Sequence, residues 1–155
     1  MNELRPVVLV TRACSDAGVR IVEALRRHGG FAVRVMVPHD HGAPARFAAT
    51  PDVEIVRGDS NDFESLRQAM AGCWGVVGCA PAALPPVLAL LDAVADAGVG
   101  RVALILEGAN EHSGSELAGE AAEYALSLGV RIDVVTRGVE GDAAEPEVVA
   151  GVFAR

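Results

Sequence analysis

The residues able to do chemistry gather at a few places. Directly after the apolar run Val7–Val10 come Thr11, Arg12, Cys14, Ser15 and Asp16, then Gly18. A guanidinium at such a place can pair a phosphate, and a thiol at the start of a helix has its thiolate stabilised. No base is fixed beside Cys14 by the sequence, so it is read as a small, semi-buried side chain. His39-Asp40-His41 sets imidazoles beside a carboxylate, an arrangement suited to acid–base work near neutral pH. The plainer reading, a solvated loop, is the preferred one for that triplet. Glu107 follows an unbroken apolar run and is expected to be partly buried with a raised pKa. It leads the candidates for proton transfer, with His39, His112 and Asp16 beside it in the catalytic set; a solvated carboxylate at a loop mouth explains Glu107 equally well. The chain contains no lysine, so no mechanism here uses an amine as base, Schiff-base former or phosphate clamp.

These groups need elements to hold them. Pro6 to Val10 reads as a strand buried on both faces, because it is apolar without alternation. Ser15 or Asp16 caps a helix whose stripe is Gly18, Ile21, Val22 and Leu25, ended by His28-Gly29-Gly30. Further strands are predicted over Phe31–Val37, Val53–Val56, Trp74–Cys79, Arg101–Leu106 and Val130–Thr136, with a short helical turn within Ala43–Thr50. Helices are predicted between the later strands. One begins at Asn61 or Asp62 with Phe63, Leu66, Ala69 and Met70 on its apolar stripe. Another follows a Pro81–Pro86 loop, with Pro85-Pro86 in its first turn. A third carries Leu117, Ala121, Tyr124 and Leu128 behind a capping box of Ser113 and Glu116. A last helix runs from Glu145 to Phe153. Strands alternating with helices predict an α/β fold: a Rossmann-like, doubly wound parallel sheet of about six strands, order 3-2-1-4-5-6, with helices on both faces. Ligands of such sheets bind beyond the carboxyl ends of the strands at the switch point. Residues 1–155 are expected to form a single domain.

Composition narrows the function classes. The formal net charge is −8 over 155 residues, which repels phosphate backbones and argues against nucleic-acid binding. The cysteines Cys14, Cys73 and Cys79 are odd in number and lack a paired spacing, which argues against a disulfide framework, and no ligand spacing suggests a metal site. Cys73, Cys79 and Trp74 read as packing residues. No apolar run is long enough for a membrane span and the first residues do not read as a signal peptide. A cytoplasmic protein is expected.

With the elements placed, the chain resembles the atypical short-chain dehydrogenases, in particular the NmrA-like NAD(P)-binding group. The stretches that carry the resemblance are VVLVTRACSDAGVRIVEALRRHG, FAVRVMVPHD, VEIVRGDSNDFESLRQAMAGCWGVV and AVADAGVGRVALILEGA. It implies a turn of threonine followed by three spaced glycines. Thr11 matches, and the glycine positions fall on Arg12, Ser15 and Gly18. The first glycine permits the tight turn, the second admits the pyrophosphate to the backbone, and the third lets the helix pack on the strand. Only Gly18 is kept, so Arg12 and Ser15 are expected to fill the space of a pyrophosphate. The arginine that such relatives place after strand 2 for a 2′-phosphate is replaced by Pro38. Asp59 matches the family's acid near the adenine, and is equally explained as a polar strand end. Tyr followed four residues later by Lys is absent, since Tyr124 is followed there by Leu128. The family's C-terminal substrate lobe is also missing from these residues, which leads to the expectation of a homodimer covering the cleft.

The leading expectation is thus a protein of the NAD(P)-binding fold without a cofactor. It would bind a small, largely apolar molecule and, if an enzyme, act as an isomerase, cyclase or dehydratase. The alternatives are a genuine NAD(P)-dependent reductase or NAD(P)-sensing regulator, with Thr11, Arg12, Ser15, Gly18 and Asp59 holding the dinucleotide, and a homo-oligomeric interaction module.

Overall fold

Val8, Leu9 and Val10 are all fully buried, because their strand lies in the middle of a sheet covered on both faces. The computed structural model describes residues 5–14, 16–39, 47, 50, 52–81, 83–107, 111–136 and 146–153. The strands are β1 (Val7–Val10), β2 (Ala32–Val37), β3 (Val53–Arg57), β4 (Gly75–Pro81), β5 (Arg101–Glu107) and β6 (Ile132–Thr136). They form one parallel sheet in the order β3-β2-β1-β4-β5-β6, as the alternation predicts. The helices are α1 (Asp16–His28), α2 (Phe63–Ala69), α3 (Leu84–Ala97), α4 (Glu111–Ser127) and α5 (Pro146–Phe153).

Strand residues alternate between two cores. Leu9, Met36, Val76, Ala80, Val102, Leu104 and Leu106 pack with apolar residues of α2, α3 and α4. Val8, Val10, Val33, Val35, Val77, Cys79, Ala103 and Ile105 pack with Ile21, Val22 and Leu25 of α1 and Val149, Val152 and Phe153 of α5. Cys73 and Cys79 are buried, as expected of packing residues.

Arg34 breaks the apolar pattern of β2 and ties the sheet to α2. Its Nη1 donates to the carbonyls of Ala69 and Ala71, both at 2.8 Å, and its Nε donates to Glu54 at 2.9 Å. A cation at the last turn of a helix also meets the negative end of its dipole. At the amino ends of the strands, Trp74 stacks on Phe31 with centroids 6.0 Å apart, Phe153 meets both rings edge-on, and Arg101 lies over the indole at 5.7 Å.

Several boundaries differ from the sequence expectation. β4 extends to Pro81 and α3 already starts at Leu84, so the loop expected over Pro81–Pro86 is short; Pro85-Pro86 do lie in the first turn. α4 begins at Glu111. Ser113 is therefore inside the helix and cannot take the extended backbone of an N-cap, which removes the capping box. Asp62 caps α2 by accepting from the Ser65 N–H at 2.9 Å. Phe63 and Leu128, placed on apolar stripes above, are exposed, and both border a shallow groove with Asp92 and Asp96. Of the turn expected over residues 43–50, Phe47 is helical and buried.

Candidate functional site

The strand order makes β1 the point where the chain reverses direction across the sheet, and a cleft opens there. It has a volume of about 810 Å³ and is lined by residues at the carboxyl ends of β1 to β4, among them Thr11, Arg12, Cys14, Pro38, His39, Asp59 and Asn61. That size falls within the roughly 300–1,000 Å³ of small-molecule sites.

Each wall has a local cause. The turn after β1 is drawn tight because α1 sits against it at Gly18. A Cβ built on Gly18 would come within 2.2 Å of the Arg12 carbonyl oxygen, so this position admits only glycine, as its packing role predicts. Thr11 is 2 % exposed. Its N–H donates to the Val77 carbonyl and its Oγ1 accepts from the Cys79 N–H, both at 3.1 Å, so β1 and β4 stay joined beneath the cleft floor. On the far wall, Asp59 Oδ1 accepts from the Asn61 N–H at 2.9 Å, a local turn that fixes the loop ahead of α2.

The structure brings Thr11, Arg12, His39 and Asp59 to this one cleft. Gly18 lies beneath it as packing. Ser15, Asp40 and His41 lie outside the described residues. Asp16 is the first residue of α1, Glu107 the last of β5 and His112 sits in the first turn of α4; Glu107 thus belongs to the strand, and the contacts and pKa expected for it fall outside the described residues. Of the four residues expected to do acid–base chemistry, His39 lines the cleft, and the side chains of Asp16, Glu107 and His112 lie outside what is described.

Arg12 is half-buried and lines the cleft. A long side chain can lie along the wall with its charge toward water. Cys14 is exposed rather than semi-buried. Its thiol pKa is raised, because partial desolvation in the turn outweighs the nearby Arg57 charge; a helix start does not make it a reactive thiolate here. Arg57 itself was not apparent from the sequence, where β3 was expected to stop at Val56. Only the register, which sets Arg57 opposite Val37, reveals that it shares the end of β2.

The single tyrosine is committed elsewhere. The Tyr124 hydroxyl donates to the Asp92 carboxylate, linking α4 to α3, and that bond raises its pKa. Among the described residues no group of three or more His, Cys, Asp or Glu side chains is arranged to hold a metal ion. No described helix is long and apolar enough to cross a membrane.

The sequence model of an NAD(P)H-binding family matches residues 13–127. A search of curated proteins finds no match. Among solved structures, a nucleoside-diphosphate-sugar epimerase from Staphylococcus aureus is 23% identical with a TM-score of 0.65, over 83% of this chain and 49% of that one. NmrA, a negative transcriptional regulator, is 16% identical with a TM-score of 0.69, over 85% of this chain and 45% of that one. The Citrobacter sp. triphenylmethane reductase, solved with NADP(H), is 20% identical with a TM-score of 0.63, over 88% of this chain and 50% of that one. The chain therefore spans about half the length of these proteins. Matched over most of its length, the chain belongs to the NAD(P)H-binding family, and it shares the Rossmann fold of these structures.

Proposed function

We infer that the protein binds an NAD(P) dinucleotide, with the adenosine half in the cleft at the ends of β1, β2 and β3, and reads its presence without Tyr–Lys redox chemistry. The observation that carries this is the open cleft at the switch point, lined by Arg12, His39 and Asp59 over the tight Gly18 turn. The donor set suits the group: a guanidinium for the pyrophosphate, and an imidazole and a carboxylate for the adenosine hydroxyls and base. A bound nicotinamide would supply a hydride acceptor or donor. The residues that would move the accompanying proton in a Tyr–Lys enzyme are missing, since there is no lysine and Tyr124 is held by Asp92.

Calorimetric titration with NADPH and NADH tests the reading. Binding with a dissociation constant on the order of micromolar is expected for at least one of them, and no heat with either would overturn it. Arg12→Gly sharpens the result. If Arg12 pairs the pyrophosphate, the variant binds about tenfold more weakly; if bare backbone is what the site needs, it binds more tightly.

A second reading rests on the substitutions themselves. Arg12 and Ser15 stand at the two glycine positions that face a pyrophosphate, which suits a cofactor-independent protein binding a small apolar molecule. Tight NAD(P) binding by the native chain excludes it.

A further inference from the structure

Among the described residues, the large apolar side chains left exposed are Phe63, Leu126 and Leu128. Two of them, Phe63 and Leu128, border one groove of about 570 Å³, with Asp92, Ala95 and Asp96 between them. Phe63 is the first residue of α2, Leu128 directly follows α4, and the other three belong to α3. Arg67 ties α2 to α3 through Asp96, and Tyr124 ties α4 to α3 through Asp92. The groove therefore crosses α3, with a wall from the helix on each side. Ala95 keeps its floor low, having no side chain beyond Cβ. Single apolar residues scattered over a surface are ordinary, whereas an apolar patch with a polar rim is where a partner's side chains settle.

The rim carries a sign. Asp92 and Asp96 are four residues apart, so they stand one turn apart on the same side of α3. Asp92 accepts from the Tyr124 hydroxyl, a neutral donor that leaves its charge in place. Arg67 lies 3.7 Å from Asp96, but its guanidinium is hydrogen-bonded to both carboxylate oxygens of Glu64. One described cation thus serves two of three carboxylates, and the groove keeps an acidic excess.

That excess decides the occupant. A second copy laid on this groove about a two-fold axis would set the same carboxylates against each other, on a chain whose formal net charge is already −8. A basic segment meets the opposite field. Its cations are drawn to Asp92 and Asp96, while its apolar residues enter between Phe63 and Leu128. A helix with arginine or lysine beside an apolar stripe presents both groups together, since residues three and four apart share a face. We propose that the groove over α3 is a docking site for a basic amphipathic helix of a partner protein. It is independent of the nucleotide reading, because no residue of the groove lines the cleft.

The test is fluorescence anisotropy of a labelled peptide of about five helical turns, with leucines at helical spacing and arginines elsewhere. It is titrated with the full chain and its variants, and the thermal midpoint of each variant is measured alongside. The native chain is expected to bind with a dissociation constant on the order of micromolar. The double variant Asp92→Asn, Asp96→Asn is expected to weaken binding about tenfold, while Asn at position 92 can still accept from Tyr124. Leu128→Ser is expected to weaken it by about the same factor. Asp52→Asn with Asp133→Asn removes the same charge from exposed sites elsewhere and is expected to leave binding within about twofold. Equal loss in the two charge variants, or equal binding of a peptide with the same residues in an aperiodic order, means general attraction to an acidic surface and overturns the proposal. No binding by the native chain overturns it too. So does a dimer in sedimentation that Leu128→Ser dissociates, since the groove then belongs to a second copy.

Discussion

The two ends of the sheet solve opposite problems with the same strands. At the carboxyl ends the chain leaves an open cleft, bounded by the Gly18 turn, Arg12, His39 and Asp59. At the amino ends it fills the corresponding space with Phe31, Trp74 and Phe153. A glycine marks each end, for different reasons. Gly18 is hemmed in by backbone, whereas a Cβ on Gly75 would meet the Phe153 ring at 2.7 Å. The open end depends on a turn that cannot relax; the closed end depends on side chains that can. Stability and binding are therefore expected to separate along the strand axis.

The contrast breaks most severely if the aromatic plug is removed. Phe153 is 2 % exposed, and Phe153→Ala is expected to cost about 3–5 kcal/mol in chemical denaturation, while the surviving folded protein keeps its nucleotide affinity. Next comes the pair of glycines. Gly18→Ala is expected to cost about 3 kcal/mol and to disturb the cleft, because the Arg12 carbonyl oxygen it meets belongs to the main chain. Gly75→Ala is expected to cost only about 1 kcal/mol, since a ring can shift. Equal losses in the two variants would show that the turn is softer than its geometry implies.

The smallest effect distinguishes the ends by their thiols. Cys14 lies in the cleft and is exposed; Cys73 lies near the aromatic end and is buried. Burial raises both above the ordinary thiol value of 9.0, for Cys73 against the opposing charge of Arg34. A raised folded-state pKa favours the neutral thiol. That contribution is fully present below the unfolded value and is lost as pH rises through the folded one. The denaturation midpoint is thus expected to fall as pH rises above about 9, and to fall less in Cys73→Ala. A thiol reagent is expected to label Cys14 in the folded protein and Cys73 only on unfolding. Labelling of both at one rate would contradict the burial of Cys73.

The legible part of this molecule is the part governed by periodicity. Val8, Leu9 and Val10 announce a strand covered on both faces, and Gly98 and Gly129, both with positive φ, end α3 and follow α4 where the apolar stripes stop. From that alternation the strand order followed. Gly18 was legible too, since a helix packed on a turn needs a residue without Cβ. Arg57 was not, because its place beside the end of β2 comes from pairing with a strand twenty residues away. The polar pattern at the end of β3 looks the same whether the side chain faces solvent or a neighbour's end. Arg34 shows the same limit: a charge in a strand reads as an interruption until the carbonyls of Ala69 and Ala71 are seen around it. Ser113 misled for a local reason, as a serine before an apolar stripe has the same appearance one turn inside a helix as at its cap.

The aromatic plug also determines what the protein can report about itself. Trp74 is the only tryptophan, and it is stacked on Phe31 under the Arg101 guanidinium, at the end of the sheet away from the cleft. The position of its emission maximum is consequently an intrinsic gauge of whether the amino end is intact, and a ligand settling at the carboxyl end leaves that gauge unmoved. A red shift on adding a nucleotide would mean that the two ends communicate through the strands between them.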